Sequence, residues 1–249
     1  MAGGRWGRHP ARTISPHASG TRIVKILRAA WTIARKDLVI EARSRELAYT
    51  TLFFAVSVVL VFSFSFVVEG VPLADAAAGI LWVAIAFSGT LALCRTFERE
   101  RQADTLKALL LSPAERPAVY LGKLAGVLLL MLVVETFMVP MVGLLFQAPM
   151  LRAPLLLMGL LVTGTLGFAA VGTLFAAMLV RAHSRDVLLP VLLYPITVPL
   201  VIAGVRGTAS ILAAEPNLDV AQAWLSMLVF FDAVFLTLAL WVFGPVMSE

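Results

Sequence analysis

Residues 164–204 read GTLGFAAVGTLFAAMLVRAHSRDVLLPVLLYPITVPLVIAG. This stretch joins two apolar runs, residues 154–180 and 187–205, which only the short polar segment 181–186 separates. About 20 apolar residues cross a bilayer as a helix, so each run predicts one membrane helix. Small residues in the first run allow neighbouring membrane helices to approach closely. These residues are Gly164, Gly167, Ala170 and Gly172.

The second run carries three prolines: Pro190, Pro195 and Pro199. Each proline removes an amide donor and disturbs the carbonyl four residues earlier in a helix. We therefore expect this helix to be kinked or broken, with its freed carbonyls sheltered by protein or by water.

Four further apolar runs of similar length complete the pattern: 48–68, 76–94, 124–146 and 221–243. The chain is 60% hydrophobic and 14% charged, with a mean hydropathy of +0.94, whereas soluble domains carry about 25% charged residues. The predicted fold class is an all-α polytopic membrane protein with six transmembrane helices. Residues 21–249 form this one domain, after a disordered basic tail at residues 1–20.

The distribution of positive charge predicts the orientation. Residues 1–47 contain ten Lys and Arg, residues 95–123 contain six, and residues 181–186 contain two. The opposite side has only Arg152 and Arg206. Because positive residues stay on the cytoplasmic side, both termini are expected to be cytoplasmic. The basic residues have no aromatic interleaving, so nothing indicates nucleic-acid binding.

Residues 21–47 have the period of an amphipathic helix with a basic face, expected to lie in the membrane interface. Asp37 and Glu41 interrupt its apolar half, and Arg45 follows one turn later. A carboxylate facing lipid is costly, so this line is expected to face protein. Packing, an internal Glu41–Arg45 pair and direct functional contact all remain open. The polar positions assigned to this elbow helix are Arg35, Lys36, Asp37, Glu41, Arg43 and Arg45.

Residues 95–123 form a charge-rich connection of 29 residues, much longer than the usual two to eight. Its first part, Arg95–Leu111, has the pattern of a helix with a charged side and an apolar side. A helix could restart after Ser112, which has capping-box spacing to Glu115, or equally well at Pro117. A two-faced helix outside the membrane favours a surface for a partner over an ordinary solvated loop. Whether its charges contact the partner directly or only hold the helix at the membrane remains open. The residues assigned to it are Arg95, Phe97, Glu98, Arg99, Glu100, Arg101, Asp104, Leu106, Lys107, Leu109 and Leu110.

Two carboxyl residues, Glu135 and Asp232, lie near the middle of predicted spans. A central charge costs roughly 2.5–3.5 kcal/mol, and no lysine or arginine within the spans is available as a partner. A proton relay, a polar lining and a protonated carboxyl bonded to a backbone carbonyl all remain open.

The sequence contains no recognisable catalytic or metal-binding motif. It has no GxxxxGK[ST] phosphate loop and no HExxH motif, and Cys94 is its single cysteine. We therefore predict no catalytic residue, no metal site and no cofactor-binding residue. The chain is expected to be a transporter subunit and not an enzyme.

Four stretches, taken in order, resemble the heme exporter protein B (CcmB) family. They are ARKDLVIEARSRELAYTTLFF, LCRTFERERQADTLKALLLSP, the opening 164–204 stretch and WLSMLVFFDAVFLTLALWVF. The glycine-rich fourth run that leads into the triple-proline fifth run is the most specific part. The Arg35-Lys36-Asp37-Leu38 and Glu41-x-Arg43 spacing comes next.

The resemblance implies a six-helix ABC-2-like permease that forms a homodimer and docks a separate cytoplasmic ATPase, CcmA. Arg95–Leu111 would then be the coupling helix that meets this ATPase. The resemblance further implies a complex with the heme-handling CcmC and the small CcmD in the bacterial inner membrane. This complex acts on the periplasmic heme chaperone CcmE. ATP would be bound by the partner subunit, heme would be handled by the complex, and this chain would bind neither.

Two other functions compete with this reading. An ABC-2 type permease could export a lipid, a polysaccharide or a drug. A proton-coupled secondary carrier could use Glu135 and Asp232, although only the fifth run is interrupted and no inverted repeat is visible.

Overall fold

A computed structural model describes residues 17–66, 76–102, 116–179 and 185–246. Within these ranges the chain forms seven α-helices and no β-strand. They are α1 (His17–Ser44), α2 (Glu46–Phe66), α3 (Ala77–Gln102), α4 (Arg116–Leu145), α5 (Pro154–Met178), α6 (Arg185–Leu212) and α7 (Leu218–Val246). Helices α2 to α7 are each long and apolar enough to cross a membrane. In the described part of the chain, these helices support the prediction of a polytopic helical membrane protein, with six helices that could each span a membrane.

The helices extend further than the apolar runs. Helix α3 continues past the predicted end at Cys94 as far as Gln102, and α4 begins at Arg116, beside Pro117. Most of the predicted connection 95–123 therefore consists of helix ends, and residues 103–115 lie outside the described part of the chain. The first half of the predicted coupling helix is a direct extension of α3 because no helix-breaking residue separates it from the apolar run.

Helix α1 also starts earlier than predicted, at His17, so residues 17–20 of the predicted tail belong to this helix. Residues 1–16 lie outside the described ranges.

Helix α6 passes through all three prolines as one continuous helix, so of the two predicted outcomes, a kink or a break, the break does not occur. Leu189, Leu193 and Leu200 are buried along its inner side, where α6 contacts α3, α5 and α7. Pro195 and Pro199 lie on the exposed side. Packing of the inner face keeps the helix continuous although three amide donors are missing.

Helices α3 and α5 form the centre of the bundle. Helix α3 contacts α2, α4, α5 and α6, while α5 contacts α3, α4, α6 and α7. Trp82 of α3 is only 1% exposed, and its indole lies against Gly164 of α5 and Gly204 of α6. The indole N–H donates a hydrogen bond to Thr208 Oγ1 at 2.9 Å. A tryptophan inserted between two glycines thus joins the three helices.

The small residues of α5 allow the close approach that the sequence predicts. A Cβ atom on Gly172 would strike Leu93 of α3. A Cβ atom on Gly167 would instead meet Leu200 of α6 and Asp232 of α7. Glycines therefore bring α5 close to neighbours on both of its sides, as expected for helices packed within a membrane.

Large apolar side chains cover the outside of the bundle. Phe53 and Phe64 of α2, Leu155 of α5 and Trp241 of α7 are among the most exposed. A soluble protein rarely exposes such an extended apolar surface, whereas lipid tails solvate it without cost. The outer surface therefore agrees with a chain that spans the membrane several times.

Candidate functional site at the elbow and the charged helix ends

Helices α1 and α2 are joined by one residue, Arg45, which has a left-handed backbone conformation with φ of 53°. The Arg45 N–H donates to Glu41 O at 2.6 Å, and the Tyr49 N–H donates to Arg45 O at 3.0 Å. Left-handed residues commonly end helices, although glycine is the usual choice. The connection is therefore a tight elbow without a flexible linker.

The Glu41 carboxylate contributes to this elbow. Glu41 Oε1 accepts a hydrogen bond from the backbone N–H of Ala48 at 2.8 Å, in the first turn of α2. The first amides of a helix have no partner within the helix, and a negative charge is favourable there. Glu41 therefore caps α2, a role that supports the packing interpretation of this residue.

Asp37 faces protein as predicted, and its partner lies on α4. Lys123 Nζ donates to Asp37 Oδ2 at 2.6 Å, and Lys36 Nζ lies 3.1 Å from Asp37 Oδ1. The Lys123 side chain is only 4% exposed. Beside this ion pair, a Cβ atom on Gly122 would lie 2.7 Å from Ile33 Cβ. A buried ion pair and a close backbone approach therefore attach α1 to α4.

Sequence reasoning missed Lys123, which it counted only as one of the loop cations. The available signal was its position directly before the third apolar run, next to a glycine. That signal is weak, because lysines often flank membrane spans.

The predicted apolar half of α1 divides into two strips. Ala30, Ile33 and Ala34 are buried, whereas Leu27 and Trp31 are exposed. An exposed tryptophan beside basic residues is typical of the membrane interface. The remaining elbow cations Arg35 and Arg43 are exposed.

The charged end of α3 holds the described part of the predicted coupling segment. Arg95 and Glu98 form an exposed ion pair, with Arg95 Nη1 and Glu98 Oε2 3.8 Å apart. Phe97 differs from the prediction: it is 1% exposed and belongs to the core of the chain itself, because it lies on the side of α3 that faces the bundle. Phe97 is therefore not a docking residue in this structure.

The side chains of the other predicted docking residues lie outside the described part of the chain. Arg99, Glu100 and Arg101 belong to α3, but their side chains lie outside the described residues. Asp104, Leu106, Lys107, Leu109 and Leu110 lie outside them entirely.

The two carboxyl residues within the spans are both buried. Glu135 Oε1 of α4 is hydrogen-bonded to the hydroxyl of Thr165 on α5. Asp232 of α7 lies beside Gly167 of α5. Thr165 and Gly167 are two residues apart on α5, so they point in directions about 160° apart. The two carboxyl groups therefore lie on opposite sides of α5. The structure therefore does not bring them together into one site.

Among the described residues, no cluster of three or more His, Cys, Asp and Glu side chains has the arrangement of a metal site.

Six membrane-length helices, together with a further helix attached by a buried ion pair, define a polytopic helical membrane protein. The family model described as "CcmB protein" matches residues 28–247, so the chain belongs to the CcmB family. This confirms the resemblance drawn from the sequence motifs.

Individual relatives agree with this family. Heme exporter protein B of Escherichia coli strain K12 is 40% identical over 94 residues, which are 37% of this chain and 42% of that relative. The protein of the same name from Shigella flexneri gives the same values. The matched region thus spans less than half the length of these curated relatives.

Proposed function

We propose that this chain is the membrane permease subunit of a heme-exporting ABC transporter that serves cytochrome c maturation. The family match over residues 28–247 carries the proposal. The relatives that the chain resembles are named heme exporters. The sequence contains no phosphate loop, which supports ATP hydrolysis by a separate subunit.

The family and its bacterial relatives support a location in the bacterial inner membrane. The charge distribution supports an orientation with the N-terminus and the charged helix ends in the cytoplasm. An ATPase of the CcmA type then meets the segment Arg95–Leu111 and the neighbouring elbow. CcmC-like and CcmD-like subunits complete the complex, which acts on a CcmE-like periplasmic chaperone and contains this permease as a homodimer. Heme is handled by the complex, and hydrolysis by the ATPase drives release of the heme-loaded chaperone.

Reversing the charges of Glu98, Arg99, Glu100 and Arg101 together is expected to release the ATPase. Like charges placed opposite each other at an interface cost several kcal/mol, so the co-purified ATPase should fall at least about tenfold. In a strain that lacks the gene, the native gene should restore c-type cytochromes and this variant should not. The measurements are affinity purification in mild detergent and heme staining of cytochromes.

Reversing Arg206 and Glu215, two exposed charges at the opposite end of the bundle, provides the matched control. This control should keep the ATPase and restore the cytochromes. Full ATPase recovery with the four-residue variant would contradict the docking role. Normal c-type cytochromes in the deletion strain itself would contradict the function.

A proton-coupled carrier is disfavoured because the two buried carboxyl groups lie on opposite sides of α5. Glu135→Gln and Asp232→Asn keep the size of each side chain but cannot exchange a proton. We expect both variants to restore c-type cytochromes close to the native level. Loss of cytochromes in either variant, with normal protein levels in the membrane, would favour a proton-coupled mechanism.

A further inference from the structure

A cavity of about 480 Å³ lies between α1, the start of α2 and the first half of α4. The proposed transport function assigns no ligand to this cavity, although it lies beside the elbow. Its lining has two parts that differ in chemistry. One part is charged and contains Lys36, Asp37, Glu41, Arg45 and Lys123. The other part is apolar and includes Ile40, Leu47, Leu129, Leu130 and Val133.

The charged part carries an excess of one positive charge, because three cations accompany two carboxylates. Asp37 is already engaged by Lys123 at 2.6 Å and by Lys36 at 3.1 Å. Glu41 is engaged at the start of α2. The excess charge therefore lies on the more accessible Lys36 and Arg45 side chains, where one phosphate monoanion would neutralise it.

The apolar part continues beyond the cavity along α4. Leu129, Val133 and Phe137 are exposed at intervals of four residues, so they form one line on the surface of this helix. Eight residues of helix cover about 12 Å. One leaflet of the hydrocarbon core is about 15 Å deep. This row of side chains is therefore long enough to lie beside an acyl chain through most of one leaflet.

The lining does not suit heme as an occupant. None of its 15 residues is a histidine, cysteine, methionine or tyrosine, the side chains that normally ligate heme iron. A ligand with a charged head and a flexible apolar tail fits both parts of the lining.

We propose that this cavity is a binding site for an anionic phospholipid. The headgroup phosphate lies in the cationic part of the cavity, which Lys36 and Arg45 both line, and an acyl chain lies along Leu129, Val133 and Phe137. The bound lipid fills the space between α1 and α4 and thereby holds the elbow at the level of the headgroups.

The test uses the full chain in nanodiscs of phosphatidylcholine with a minor fraction of phosphatidylglycerol, transferred to mild detergent for native mass spectrometry. We expect the native protein to retain phosphatidylglycerol. Each Lys or Arg near a membrane surface contributes about fivefold to anionic lipid affinity, so Lys36→Gln combined with Arg45→Gln should lower retention about 25-fold. Arg28→Gln provides the control, because Arg28 is exposed on α1 but does not line the cavity.

A second pair of variants tests the acyl-chain track. Val133→Trp should displace the lipid, whereas Val198→Trp, at an exposed position of α6, should not. A photo-crosslinking phenylalanine analogue at position 133 gives a readout that does not depend on tryptophan being tolerated. It should label phospholipid in the membrane.

Three results would overturn the proposal. The first is that the Lys36→Gln/Arg45→Gln variant retains as much phosphatidylglycerol as the native protein. The second is that the analogue at position 133 crosslinks to polypeptide and not to lipid. The third is that heme added to the native protein shows a shift in its absorption spectrum that Val133→Trp abolishes. The proposed transport function would survive each of them, since its test is the restoration of c-type cytochromes.

Discussion

Gly164→Ala is expected to lower the free energy of unfolding by about 1–3 kcal/mol, the usual cost of adding a methyl group to a filled core. The new Cβ atom would strike the indole of Trp82. That ring has little room to move, because Gly204 of α6 also lies against it and its N–H is bonded to Thr208. Any relief requires α5 to move away from α3. The measurement is the unfolding temperature in detergent, together with the amount of protein in the membrane.

Gly79→Ala is the matched control on α3. A Cβ atom at this position would have no neighbouring atom within 4 Å. Because glycine costs a helix roughly 0.5–1 kcal/mol relative to alanine, this substitution should leave stability unchanged or raise it. Equal unfolding temperatures for the two variants would show that Trp82 is not held between α5 and α6 as described.

The glycine spacing of α5 was enough to predict close packing of this helix, since small residues have few other uses in a membrane span. It was not enough to identify the partner. Trp82 lies in an apolar run whose residues all satisfy the same requirement for hydrophobicity. Only the three-dimensional arrangement shows that its indole fills the space left by Gly164 and Gly204.

The interpretations of α6 and α3 both depended on which helix face packs in the bundle. Sequence reasoning identified the prolines of α6 as the source of a kink or a break, and packing of the opposite face keeps the helix continuous. It also assigned Phe97 to a partner-facing surface, although this side chain is part of the core. Helical periodicity shows that two faces differ, but it does not show which face turns toward the bundle.

At the elbow, the sequence was sufficient to predict that the carboxylates on the apolar half of α1 contact protein. Two carboxylates on an apolar face predicted contact with protein, and Asp37 and Glu41 both make such contacts. The identity of their partners could not be predicted. Asp37 and Lys123 are 86 residues apart, and no local pattern links them.

Removing either partner of the Asp37–Lys123 pair is expected to be destabilising, by less than the about 3–5 kcal/mol of a fully buried pair, because Asp37 is 20% exposed. The two single variants should differ in how much stability they lose. Asp37→Leu takes the carboxylate away from a lysine that is only 4% exposed. Lys123→Met leaves Asp37, which is 20% exposed, still 3.1 Å from Lys36. We therefore expect Asp37→Leu to lower the unfolding temperature more than Lys123→Met does.

The double variant Asp37→Leu/Lys123→Met should recover most of the lost stability, because it removes both buried charges and replaces them with apolar groups. Lys36→Gln removes only the more exposed partner of Asp37 and should cost no more than about 1 kcal/mol. Arg35→Gln serves as the control, since Arg35 is exposed on α1 and does not line the cavity. Protease accessibility of α1 provides an independent readout, because α1 should separate from α4 only in the single variants. A double variant as unstable as the worse single variant would mean that the size and shape of these side chains, and not their charges, hold the elbow to the bundle.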